Sequence, residues 1–241
     1  MLRRKEKNIT SLVLCDYQTT HIGLLIDDAL CATVSLSNHQ SNQQFILSLD
    51  QLLKTNDCSL CDCSAIGLYR GPAPFTTLRN IVASVNALAW ASGLPIHAAH
   101  GVKLMLWSLA KQVDLQQNQA VCVALYAFGQ DVYYGWFTDY AYTWSEQHVN
   151  VGFCSKDEFI EKFRLKCSMH ERVVIAGNAW EKFDICAIAH EMGAEILDPF
   201  VTVPTIQMLA HAIVEHDAHK LDDVIQTVPF CQPLYLKEIS L

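Results

Sequence analysis

Charged residues are scarce in this chain of 241 residues. Asp, Glu, Lys and Arg make up 17% of it, against about 25% in an average soluble domain. There are 17 basic and 25 acidic residues, so the formal net charge is −8. A free-standing nucleic-acid binder needs a concentrated basic face, and this balance argues against that class. Hydrophobic residues form 51% of the chain, which argues against intrinsic disorder.

The chain also lacks a long uninterrupted apolar run. Residues 80–102 contain no charged side chain and are numerous enough for a membrane span. Gly93 and Pro95 interrupt this stretch, so we interpret it as a helix followed by a strand. The apolar segment at residues 11–15, which follows a basic N-terminus, is too short for a signal peptide. We therefore expect no membrane association and a cytoplasmic location.

Cysteine is abundant, with ten residues, and three of them form the cluster Cys58, Cys61 and Cys63. This C-x-x-C-x-C spacing is compatible with a metal or redox motif. A structural zinc site needs four ligands, however, and no second cysteine pair follows at a suitable spacing. We interpret the cluster as a loop of reduced cysteines, and we expect no metal site.

Hydrophobic periodicity predicts the same order of elements in both halves of the chain. The order is three strands, a helix, a strand and a helix. Strands are predicted at residues 11–17, 21–26, 29–36, 65–69 and 94–98, then at 120–127, 131–138, 141–144 and 172–176. Helices are predicted at residues 42–54, 76–92, 102–110, 156–164, 179–192 and 204–216. The duplicated βββαβα order predicts an α/β fold of two related lobes with mixed sheets, at residues 1–106 and 107–241.

The most distinctive segment is YRGPAPFTTLR at residues 69–79. A strand leads through a loop with Gly71 and Pro72 directly into a helix, which Thr76 or Thr77 can cap. The amides at such a helix start can attract an anion such as phosphate. The loop has a single glycine, and each of its prolines removes an amide donor. We therefore favour a rigid turn that orients the helix, with the anion site as the alternative.

The helix that follows is apolar around most of its circumference. One stripe contains Ile81, Val82, Val85 and Leu88, while small residues and Trp90 occupy much of the remaining surface. A helix of this kind must be covered on several sides, and its own sheet covers one. Either another chain covers the second side, or the helix is sandwiched within its own lobe.

These residues carry a resemblance to a known family. GPAPFTTLR at residues 71–79 resembles the G-P-G-S-F-T-G-L-R segment of the bacterial TsaB family, also named YeaZ. The resemblance implies two lobes of the actin/Hsp70-like (ASKHA) class, each related to ribonuclease H. Residues 12–16, together with Thr19 and Thr20, stand where the family has a first strand that ends in D-T-S-T, although Tyr17 and Gln18 depart from that motif. Further matches, in chain order, are residues 130–133 with G-E-V-Y, 176–178 with G-N-G and 233–237 with P-x-Y-L-R.

The resemblance implies a partner subunit without a catalytic site of its own. TsaB proteins support synthesis of N6-threonylcarbamoyladenosine at position 37 of tRNA, together with the catalytic paralogue TsaD and the ATPase TsaE. A homodimer is expected in isolation, tRNA contact is expected through the complex, and ATP and Mg²⁺ belong to the complex. The implied partner or dimer interface contains Phe75, Leu78, Ile81, Val82, Val85 and Leu88. The implied motif loop contains Gly71, Pro72, Thr76 and Arg79.

The sequence departs from the family pattern in the motif loop, where Ala73, Pro74 and Thr77 replace Gly, Ser and Gly. Asp16 is kept and would be the remnant of a nucleotide site. The alternative function is a small ASKHA-type nucleotide-binding enzyme that uses Asp16 and the Gly71 loop. A protease is a third hypothesis, but spacing identifies no Ser/His/Asp, Cys/His or H-E-x-x-H arrangement. We assign no catalytic residue from the sequence.

Overall fold

The computed structural model describes residues 8–113, 119–138, 149–196, 201–219 and 221–234. They form two compact units. The first contains the described part of Met1–His100 together with Thr205–Leu234, and the second lies within Gly101–Pro204. The prediction that the second lobe contains all of residues 107–241 is therefore wrong for residues 205–234. Residues 205–234 return to the first unit because their helix packs on its sheet and their strand joins that sheet.

Both units follow the alternation of strands and helices that the hydrophobic pattern predicts. The first unit contains β1 (Ile9–Cys15), β2 (Thr19–Ile26), β3 (Ala29–Ser37), α1 (Asn38–Thr55), a 3-10 turn (Leu60–Asp62), β4 (Ala65–Tyr69), α2 (Phe75–Ser92) and β5 (Ile96–Ala99). The second contains α3 (Gly101–Gln112), β6 (Gln119–Ala127), β7 (Asp131–Phe137), β8 (Val149–Ser155), α4 (Lys156–Cys167), β9 (Arg172–Ala176), α5 (Ala179–Lys182), α6 (Cys186–Glu191) and β10 (Glu195–Ile196). The returning segment adds α7 (Ile206–His219) and β11 (Ile225–Val228) to the first unit.

The two sheets have the same core topology. The first has the order β11-β5-β4-β1-β2-β3, and the second has the order β10-β9-β6-β7-β8. In each, the first strand pairs antiparallel with the second strand on one side and parallel with the fourth on the other. This is the arrangement of ribonuclease H-like sheets, and two such units in one chain define the actin/Hsp70-like class. The predicted fold class is confirmed.

Local sequence explains where the helices begin and end. Ser37 and Gln40 form a capping box, with the Ser37 hydroxyl accepting from the Gln40 amide. Helix α1 therefore starts four residues before the predicted position 42. Helix α2 ends at Gly93, whose backbone is left-handed. The predicted helix at residues 179–192 is instead split into α5 and α6, with Asp184 at a positive φ between them.

The predicted third strand of the second lobe, at residues 141–144, lies outside the described residues. Within them the third strand is β8, which pairs antiparallel with β7. Residues 235–237 of the terminal motif are also outside the described part. None of the helices within the described ranges combines the length and the apolar composition of a membrane span.

Candidate functional site

Helix α2, for which the family resemblance implied an interface, turns four of the six implied side chains into the core. Leu78, Ile81, Val82 and Val85 are all at most 2% exposed and belong to the core of the first unit. Leu88 is partly buried against the same core. The prediction that these residues contact a partner is wrong for the four buried ones, because the sheet and α1 already cover that stripe. For its most apolar stripe, the interpretation in which α2 is covered within its own lobe is the one that the structure supports.

The opposite side of α2 is exposed and still apolar. Phe75 is half-exposed, and Trp90 is 87% exposed. Ala83, Ala87 and Trp90 recur at helical spacing and form one stripe, which follows the exposed Arg79 and Asn80 in the first turns of the helix. A largely exposed tryptophan on a helix of small side chains is unusual for a surface in contact with water alone. The exposed stripe, and not the buried one, is therefore the candidate interface.

Helix α1 extends this surface. The two helices pack side by side, and the Asn80 side-chain amide donates to the Asn42 side-chain oxygen at 3.0 Å. A groove of about 310 Å³ lies between them. Its lining has no charged residue: Ser41, Asn42, Gln43, Phe45, Ile46, Asn80, Ile81, Ala83 and Ser84. We call the groove, together with Ala87 and Trp90, the α1–α2 face.

The motif loop is held by one backbone hydrogen bond from the C-terminal segment and by one side-chain hydrogen bond within the motif. The Leu234 amide donates to the Arg70 carbonyl at 2.7 Å, and the Tyr69 hydroxyl donates to the Pro72 carbonyl at 2.6 Å. Gly71 and Pro72 are buried in this loop. The first helical residue is Phe75, and the residue before it is Pro74. The predicted cap by Thr76 or Thr77 is therefore wrong.

The two remaining residues of the predicted motif loop lie on the helix and not in the loop. Thr76 and Arg79 lie within the first turns of α2 and are exposed. Deeper in the helix, Asn86 makes two hydrogen bonds of 2.8 Å with the Cys231 backbone, one as donor and one as acceptor. These hydrogen bonds fix the loop and α2 to the C-terminal segment, which agrees with the interpretation of the loop as a rigid turn.

Asp16 follows β1 and is built into the β1–β2 connection. Its Oδ1 accepts from the amides of Gln18 at 2.7 Å and Thr19 at 2.6 Å. Its Oδ2 lies 3.1 Å from His21 Nε2. Burial would raise the pKa of the Asp16 carboxyl, but the hydrogen bonds from His21 and the two amides outweigh it and lower the pKa. The carboxylate therefore has a structural role in the hairpin, and its role as a nucleotide-site remnant stays a prediction.

The same connection brings together residues that the sequence reasoning missed. Ser35 Oγ on β3 lies 2.8 Å from His21 Nδ1 on β2, and the other ring nitrogen of His21 faces Asp16. A hydroxyl, an imidazole and a carboxylate are thus in line, although spacing along the chain identified no such arrangement. The signal that finds it is the strand register, which pairs His21 with Ser35.

The cysteine cluster has no arrangement that would hold a metal. Cys58 and Cys63 are buried, and Cys61 is exposed on the 3-10 turn between them. Burial raises the pKa of the Cys63 thiol to about 11, so this thiol is protonated at neutral pH. Within the described ranges, no group of three or more His, Cys, Asp or Glu side chains could hold a metal ion.

Comparison with solved structures places this fold beside two bacterial proteins. One is an uncharacterized Pseudomonas aeruginosa protein with similarity to peptidase YeaZ, with 16% identity, a TM-score of 0.64, and coverage of 95% of this chain and 100% of that one. The other is YeaZ from Pseudomonas aeruginosa, with 15% identity, a TM-score of 0.58, and coverage of 88% and 95%. No family model matches the sequence, and no curated protein matches it. The chain therefore has the fold of the YeaZ structures over nearly its whole length.

Proposed function

We propose that this chain is a TsaB-type partner subunit that supports N6-threonylcarbamoyladenosine synthesis in tRNA by docking a TsaD-like catalytic subunit. The observation that carries the proposal is the exposed, uncharged α1–α2 face. The shared fold with YeaZ structures and the motif at residues 71–79 support the choice of family. The proposal includes a TsaE-like ATPase in the complex, tRNA contact through the complex, and a homodimer of this chain when it is alone.

The physical basis is the cost of removing this face from water. Charged side chains lose hydration when a partner covers them, and an uncharged face avoids that cost. The side-chain amides of Asn42 and Asn80 can exchange water for a partner's hydrogen-bonding groups. Trp90 supplies a large apolar area of the kind that dominates binding energy at protein interfaces. Although each chain has a net charge of −8, two copies can associate through this face without charge repulsion between the groove residues.

Replacing Trp90 by Glu should weaken docking without unfolding the protein, because this side chain is 87% exposed. Loss of the tryptophan and introduction of a charge that docking would bury should reduce affinity for the TsaD-like subunit about 30-fold or more. Isothermal titration with the purified partner measures this change. The matched control is Leu165→Glu, which places the same charge at an exposed leucine on α4 in the second unit.

The control variant should bind as the unaltered protein does. Equal affinity of the Trp90→Glu variant and the unaltered protein would contradict docking through the α1–α2 face. A Val85→Glu variant is unsuitable for this test, since Val85 is fully buried and its replacement would disrupt the core.

A further inference from the structure

Three side chains at one end of β2 form a continuous hydroxyl, imidazole and carboxylate series. Ser35 Oγ lies 2.8 Å from His21 Nδ1, and His21 Nε2 lies 3.1 Å from Asp16 Oδ2. Because a carboxylate can only accept, the hydrogen of the neutral imidazole lies on Nε2 and points at Asp16. Nδ1 is then the acceptor for the Ser35 hydroxyl. A base held by a third group and bonded to a hydroxyl is the arrangement that activates a nucleophile.

The carboxylate is oriented independently of the imidazole. Asp16 Oδ1 accepts from the Gln18 and Thr19 amides, which leaves Oδ2 for His21. The lowered pKa of Asp16 keeps this group ionised at neutral pH. An ionised carboxylate beside the ring stabilises the imidazolium that forms when His21 takes a proton.

An irregularity in strand pairing creates the alignment. Ile26 pairs with Ala29 and Leu25 with Leu30, but Leu24 pairs with Ala32, so Cys31 forms a one-residue bulge. Without the bulge, His21 would lie opposite Val34; with it, His21 lies opposite Ser35. Bulges commonly redirect a side chain next to an active site. Ser35 is exposed on β3, the edge strand of the sheet, so an external substrate can reach its hydroxyl.

We propose that Ser35 is a nucleophile for acyl transfer from ester substrates, with His21 as its general base and Asp16 as a positioning residue. Ser35 Oγ forms a bond to the ester carbonyl carbon while its proton moves to His21 Nδ1. The C–O bond to the leaving alcohol then breaks, and the alkoxide takes the proton from His21. Water adds to the acyl-serine in the same way, releasing the carboxylic acid and regenerating the Ser35 hydroxyl.

The first experiment uses an alkyl fluorophosphonate, which reacts with activated serine hydroxyls. Ser35 Oγ would bond to phosphorus, fluoride would leave with the P–F electron pair, and the proton would pass to His21. Peptide mass spectrometry of the full chain should find the phosphonyl group on Ser35, and the Ser35→Ala variant should not be labelled. The matched control is Ser168→Ala: this exposed serine hydroxyl donates to the Leu165 carbonyl, and its removal should leave labelling unchanged. Labelling at another residue, or none at all, overturns the proposal.

The second experiment measures hydrolysis of p-nitrophenyl acetate by the same variants. Removing the general base in His21→Gln should lower kcat by about 100-fold or more. Asp16→Asn should lower kcat with little change in KM, since Asp16 acts through His21 and does not touch the substrate. Because Asp16 also stabilises the hairpin, circular dichroism must confirm that this variant is folded, and His21→Gln decides the result if it is not. Unchanged rates in Ser35→Ala or His21→Gln contradict the proposal. These outcomes are independent of the α1–α2 face, which none of the three substitutions touches.

Discussion

Gly177, in the turn after β9, lies directly against the backbone of β6. An added Cβ would sit 2.0 Å from the Ala124 carbonyl oxygen, and the residue has φ +108°. An alanine at this position would have to shift either the turn or β6, a central strand of the second sheet, and the positive φ adds backbone strain. The turn residues 176–178, which match a family motif, thus have a steric explanation within this unit.

Replacing Gly177 by Ala should lower the free energy of unfolding by about 2–5 kcal/mol, combining the overpacking and backbone costs. Urea denaturation measures the loss. Gly129→Ala is the matched control, because Gly129 also has a positive φ but an added Cβ there meets nothing within 4 Å. That variant should lose about 1 kcal/mol. Equal losses in the two variants would show that the contact with Ala124 is unimportant.

Residue-scale features were predictable from the sequence only where they depend on neighbours in the chain. The resemblance to the D-T-S-T motif singles out Asp16, which directly follows a buried strand. Its partner His21 and the more distant Ser35 were not, because their alignment depends on a bulge at Cys31. A regular two-residue hairpin over Asp27 and Asp28 would predict a different pairing. No local propensity indicates which residue of a strand bulges out, so this part of the site required the structure.

At the scale of elements, three pieces of the first unit meet at a pair of histidines. The Thr227 hydroxyl of β11 lies 2.9 Å from His97 Nδ1 on β5 and 3.1 Å from His216 Nε2 on α7. Asp217 lies 3.9 Å from His97, and Asp222 lies 3.8 Å from His216. Burial and the neighbouring His216 lower the pKa of His97, although Asp217 opposes them. This cluster joins the returning C-terminal segment to the sheet.

The cluster predicts a loss of stability in mild acid. His97 binds a proton more weakly in the folded chain than in the unfolded chain, where its pKa is near the reference value of 6.5. The unfolded state therefore takes up more protons as the pH falls below about 6.5, and the free energy of unfolding decreases. A His97→Gln variant should show a smaller decrease between about pH 7 and about pH 5.5 in urea titrations. Identical pH dependence in the variant and the unaltered protein would contradict this assignment.

The apolar pattern of α2 explains why four of the predicted interface residues are core residues instead. Periodicity correctly identified a helix with too much apolar surface for a single sheet to cover. The most apolar stripe, which contains Val85, is the one that the core takes up. The exposed stripe is less apolar, with alanines and Asn80 beside Trp90, and hydrophobicity alone ranks it second. Burial was needed to assign the two stripes to core and surface.

For the whole molecule, the duplicated order of strands and helices was sufficient to predict two related α/β units. It was not sufficient to predict their boundaries, because α7 and β11 return to the first unit through contacts distant in sequence. Strand β11 is four residues long and pairs with β5 at the sheet edge. A short edge strand with polar residues has little periodic signal, and its location follows from tertiary pairing.

We propose that this chain, through its α1–α2 face, supports N6-threonylcarbamoyladenosine synthesis as a TsaB-type subunit. The most direct measurement is complementation of a bacterial strain depleted of its own TsaB, with the modified nucleoside quantified by mass spectrometry of bulk tRNA. The unaltered chain and Leu165→Glu should restore the modification, while Trp90→Glu should not, at equal protein levels. Failure of the unaltered chain, co-expressed with its own TsaD-like and TsaE-like partners, to restore the nucleoside would contradict the proposed function. Full restoration by Trp90→Glu would contradict the role of the face.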